Sequence, residues 1–129
     1  MVCILVDSPD PRVEQMLRHR LSRERFRIVD VPPRANFIEL VRHERPAIAI
    51  IDRINERQDA ALLKIAIVKD SCPETRIVVI SSSTSMADAA IVELGVFYYV
   101  TNPAGDELIR IIEAAANALG SQPSKSRTL

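Results

Sequence analysis

The chain has 129 residues, room for one domain, and its 47% hydrophobic to 26% charged balance excludes a disordered polypeptide. Lysines plus arginines equal aspartates plus glutamates at 17 each, so no overall field draws in nucleic acid or anionic membrane. Cys3 and Cys72 form neither a metal-ligand pair nor a disulfide framework, and no apolar run reaches bilayer length.

In chain order, Val2 to Val6 is a continuous apolar run that ends in Asp7-Ser8-Pro9-Asp10. Unbroken apolarity fits a strand covered on both faces, as in parallel sheets. Pro11 opens a helix with Asp10 as its N-cap, and Val13, Met16, Leu17 and Leu21 mark its inner face. Phe26 to Val31 reads as a second strand and Arg34 to Glu44 as a second helix, with Phe37, Leu40 and Val41 turned inward. Ala47 to Ile51 is a third strand, closed by Asp52. The third helix spans roughly Asp59 to Asp70, and its apolar residues wrap most of the circumference, leaving mainly Lys64 and Lys69 polar.

Ile77 to Ile80 is a fourth strand and Ser85 to Leu94 a fourth helix, with Gly95 where a left-handed C-cap belongs. Val96 to Val100 is a fifth strand, and Asp106 caps a last helix carrying Leu108, Ile111, Ile112, Ala115 and Leu119. Residues 1–119 thus read as one domain, and 120–129 as a polar tail or the start of a linker. Alternation of strand and helix predicts an α/β fold. It is a doubly wound five-stranded parallel sheet in the flavodoxin-like order 2-1-3-4-5, with helices on both faces.

Ligands of such sheets bind beyond the carboxyl ends of the strands. Asp7, Asp52, Ser81 and Asn102 stand at those ends. Two carboxylates, a hydroxyl and an amide suit a hard cation such as Mg²⁺, beside which a carboxylate can act as nucleophile toward phosphorus.

The segments Ile4-Leu5-Val6-Asp7, Arg45 to Asp52, Val78-Val79-Ile80-Ser81 and Tyr99 to Pro103 resemble the bacterial two-component receiver family, which is CheY-like. The likeness runs in register over residues 2 to 119. It implies that Asp52 accepts a phosphoryl group from a histidine kinase or phosphotransfer protein. By the same resemblance, Asp7, Asp52 and the main-chain carbonyl of Ile54 would hold Mg²⁺. The Ser81 hydroxyl would meet the phosphoryl oxygen, and Tyr99 would be an aromatic switch turning inward with it. The signal would pass to a downstream protein by direct contact, without classical enzyme activity.

Two positions depart from the family pattern. Ser8 stands where a second acidic residue is usual, leaving it a weak metal ligand, and Asn102 replaces the lysine before the proline of strand five. An amide offers a neutral hydrogen bond, roughly half as strong as a charge-assisted one. These departures keep open a second function, a pseudo-receiver that docks or dimerises without phosphorylation. A flavodoxin-like cofactor binder fits less well, because the three glycines form no phosphate-cradling loop after strand one. A cytoplasmic protein with no membrane or nucleic-acid partner is expected, with a possible homodimer through Val92, Arg110 and Glu113. Arg12 to Arg27 forms a candidate basic face, Cys3 and Cys72 read as inert core residues, and His19 and His43 as solvated surface.

Overall fold

The computed structural model describes residues 1–32, 35–53, 58–81 and 88–121. Its elements alternate: β1 (Val2–Asp7), α1 (Pro11–Arg20), β2 (Phe26–Asp30), α2 (Phe37–Glu44), β3 (Ile48–Asp52), α3 (Gln58–Ser71), β4 (Arg76–Ser81), α4 (Asp88–Glu93), β5 (Tyr98–Thr101) and α5 (Gly105–Ser121). All strand pairs are parallel, and the sheet order is β2-β1-β3-β4-β5, the doubly wound arrangement expected from the sequence.

Successive side chains of a strand point to opposite faces, and each strand feeds two cores. Ile4, Val6, Ile48, Ile50, Val78, Ile80 and Val100 pack with Leu17 and Leu21 near α1 and with Leu108, Ile111 and Ile112 of α5. Leu5, Ala49, Ile51, Ile77 and Val79 pack on the other face with Val41 of α2, Ala61, Ile65 and Val68 of α3, and Ile91 of α4. This double burial is why the inner strands β1, β3 and β4 carry nearly unbroken apolar runs, whereas the edge strand β2 exposes Arg27 and Asp30.

Local chemistry sets the helix ends. The Asp10 carboxylate accepts from the Arg12 amide, and Pro11 occupies the first turn, where its missing donor costs nothing. Gly95 has φ 80, the left-handed conformation anticipated after α4. Several boundaries differ from those the sequence predicts. The helix α2 starts at Phe37, because Asn36 caps it by accepting from the Glu39 amide. The strand β5 is Tyr98–Thr101, and Phe97 before it donates to the Ile77 carbonyl. The helix α5 includes Gly105, with the Leu108 amide bonded to the Ala104 carbonyl, so Asp106 lies inside the first turn and pairs with Arg20. That helix runs on to Ser121, and residues 122–129 lie outside the described residues.

The α3 residues sort by helical spacing. Ala61, Ile65 and Val68 are buried, while Leu63 is 62% exposed and Ala66 is also exposed. The apolar circumference is therefore split between core and surface. Among the described residues, no helix is long and apolar enough to cross a membrane.

Candidate functional site at the carboxyl edge of the sheet

Register brings the candidate residues to one edge. Asp7 of β1 pairs with Ile51 of β3, Asp52 with Ile80 of β4, and Ser81 with Thr101 of β5. Asp52 is 1% exposed and Ser81 is 3% exposed, both within an otherwise apolar layer. A carboxylate so buried requires hydrogen-bond donors, since desolvation without them is costly.

Ser8 supplies one. Its Oγ donates to Asp52 Oδ2 at 2.7 Å, while the Asp10 amide donates to Ser8 Oγ at 3.1 Å. Strand parity explains the contact, because position 8 follows Val6 to the side of the sheet that Ile50 and Asp52 also take.

Asp7 follows Leu5 to the other side, toward α2 and α3. There its Oδ2, a buried atom, lies 2.6 Å from Lys64 Nζ of α3, a close ion pair without hydrogen-bond geometry. The ammonium also stands 6.0 Å from the centre of the Phe37 ring of α2. Lys64 stands at the candidate site by this ion pair, and the sequence alone did not place it there. The available signal was its standing, with Lys69, as one of two cations on a largely apolar helix.

The edge carries further acidic groups. Burial and the neighbouring Glu14 push the Asp30 carboxyl above the usual range, Arg18 opposes them, and Asp7 adds a smaller upward push. Asp10 is held below the usual range by its hydrogen bonds to Arg12.

The remaining candidates occupy distinct settings. Ser81 ends β4, and its carbonyl accepts from the Asn102 amide at 2.8 Å. Asn102 is exposed and has φ 43, a left-handed conformation that asparagine tolerates better than most residues. Its backbone role is thus visible in the turn after β5. Tyr99 is half-buried and packs against the α2–α4 side of the core. Ile54, the proposed carbonyl ligand, lies outside the described residues.

Mg²⁺ is commonly held by one or two carboxylates with several retained waters. Asp52 with the Ser8 hydroxyl on one side of the sheet and Asp7 on the other supply oxygen donors of that kind at the same edge. A cation held by both carboxylates would require Asp7 to turn away from the α2–α3 side. Among the described residues, no group of three or more histidines, cysteines, aspartates or glutamates forms a metal cluster.

The surrounding surface is largely neutralised. Arg12, Arg18, Arg20, Arg25 and Arg27 pair with Asp10, Glu14, Asp106, Glu113 and Glu44, so these five arginines of the Arg12 to Arg27 stretch each face a carboxylate. Glu113 is held by Arg25, whereas Val92 is 53% exposed and Arg110 is exposed. Cys3 and Cys72 are both buried, and His19 and His43 are both exposed.

No family model matches the sequence, and no curated protein matches it. Solved structures do match the fold. A response regulator from Thermotoga maritima aligns at 17% identity with a TM-score of 0.75, covering 92% of this chain and 99% of that one. A putative pilus assembly protein from Burkholderia thailandensis aligns at 19% identity and a TM-score of 0.68, covering 91% and 99%. The receiver domain of a sensor histidine kinase from Pseudomonas aeruginosa, with a magnesium ion coordinated in its active-site cleft, aligns at 17% and 0.67, covering 91% and 98%. With this sheet order, these helices and these neighbours, the chain has the fold of the response-regulator receiver domains.

Proposed function

We propose that this chain is a phosphorelay receiver in which Asp52 accepts a phosphoryl group from a phosphohistidine and relays the change through protein contacts. The observation that carries the reading is the buried Asp52 at the carboxyl end of the central strand β3, with Ser8 Oγ donating to it at 2.7 Å. In the transfer, a carboxylate oxygen of Asp52 forms a bond to phosphorus as the phosphorus–nitrogen bond to histidine breaks. A Mg²⁺ held by Asp52 and Asp7, when bound, offsets charge on carboxylate and phosphoryl group. The Ser81 hydroxyl donates to a phosphoryl oxygen, and Tyr99, half-buried on the α2–α4 side, turns further inward with it. Asn102 contributes shape to the turn in place of a cation. The partners are a histidine kinase or phosphotransfer protein upstream and a second protein downstream, in a cytoplasmic pathway.

Magnesium-dependent binding of beryllofluoride, a phosphoryl mimic, tests this reading by amide-resolved NMR. Shifts centred on Asp52, Ser81 and Tyr99, lost in Asp52→Ala, are the expected result. An unchanged spectrum contradicts it.

A second reading is favoured by the Asp7–Lys64 pair, which occupies one of the carboxylates a cation would use. In that reading the module docks or dimerises independently of phosphate. The beryllofluoride experiment separates the two.

A further inference from the structure

The acidic edge already holds a cation of its own. Lys64 Nζ is 2.6 Å from Asp7 Oδ2, and the two side chains are only 24% and 16% exposed. The lysine lies on α3 between the buried Ala61 and Val68 and beside the buried Ile65, so its aliphatic stem runs along the core while its head reaches the sheet edge. Phe37 flanks the ammonium on the α2 side. A charge pair this shielded from water is screened less than a surface pair.

We propose that Lys64 is the resident counter-ion of this site, holding Asp7 on the α2–α3 side and competing with a divalent cation for its carboxylate. The inference rests on the reading that the edge takes such a cation. Three observations support it. Ser8 leaves Asp7 as the acidic residue that ends β1, so whatever binds Asp7 controls that carboxylate. Asn102 supplies no positive charge from the turn after β5, and Lys64 brings one from α3. Strand parity directs Asp7 toward α3 and away from the side where Ser8 meets Asp52. Cation binding then requires Asp7 to leave Lys64, which couples occupancy of the edge to the seating of α3 against α2. Two ligands that exclude one another at one group weaken each other reciprocally.

The test is titration of the full chain with Mg²⁺ alone, followed by calorimetry and amide-resolved NMR, for wild type, Lys64→Met and Lys64→Arg. Lys64→Met keeps the stem and removes the charge, so its affinity for Mg²⁺ should rise about tenfold, within the usual range of coupling between sites. Lys64→Arg retains a cation and should stay near wild type. Equal affinities in wild type and Lys64→Met, weaker binding by Lys64→Met, or no binding by either overturns the assignment. The phosphoacceptor reading fails separately. Tighter Mg²⁺ binding by Lys64→Met with no phosphoryl adduct on Asp52 supports the counter-ion and rejects the acceptor. An adduct with unchanged Mg²⁺ affinity does the reverse.

Discussion

Ser8 Oγ and Asp52 Oδ2 lie 2.7 Å apart, and this contact ties the loop after β1 to the buried carboxylate that ends β3. Hydrogen bonds to a carboxylate contribute about 1.5–3 kcal/mol each. Ser8→Ala should therefore lower unfolding stability by about 1–3 kcal/mol in a denaturant titration, because Asp52 remains buried with one donor fewer. A stability equal to wild type would show that the contact contributes nothing to the folded state.

Ser8→Asp replaces that donor with a second carboxylate beside Asp52. It should raise Mg²⁺ affinity, and it should lower stability when the cation is absent, since two carboxylates at this edge repel. Melting curves with and without Mg²⁺ check both signs. A variant equally stable in the two conditions contradicts this account of the edge.

Thr75 is buried, and its hydroxyl donates to the Pro46 carbonyl at 2.6 Å, fastening the turn before β4 to the turn before β3. Thr75→Val keeps the shape and leaves that carbonyl without the hydroxyl. A loss of about 1–3 kcal/mol is expected. Leu17, fully buried under the sheet, should cost more: Leu17→Ala should lose about 2–5 kcal/mol through lost transfer energy and a cavity. Exposed Leu63→Ser on α3 should stay within about 0.5 kcal/mol.

Burial pushes the Cys3 thiol up, the Arg27 guanidinium pulls it down, and Glu44 pushes it up again, for a net rise. An acid whose folded value is raised keeps its stability contribution below the ordinary thiol range of about 8.5, and loses it as pH climbs through the higher folded value. Native Cys3 should alkylate slowly at neutral pH and accelerate only above the free-thiol range. A rate matching a free thiol at pH 8 would contradict the burial.

Most of the fold was legible because the parallel strands are buried on both faces and show as unbroken apolar runs, as Ile48 to Ile51 does. The start of α2 was less so, because it depends on the Asn36 side chain bonding back to the Glu39 amide rather than on the apolar pattern. Asp106 drew an N-cap reading from its residue type, yet its carboxylate is taken by Arg20 from the far end of α1. At the site, the alignment of Asp7, Asp52 and Ser81 along one edge followed from the strand ends alone. Which side each would face did not follow until parity was tied to the two cores. Lys64 was visible only as a cation on an apolar helix, since its contact with Asp7 joins residues far apart in sequence and depends on how α3 seats on the sheet.

The most direct test of the central claim is intact-protein mass after incubation with Mg²⁺ and a small phosphodonor, comparing wild type with Asp52→Ala. Wild type is expected to gain a single phosphoryl adduct that disappears in Asp52→Ala. No adduct on wild type, or an adduct that persists in Asp52→Ala, would contradict Asp52 as the phosphoacceptor.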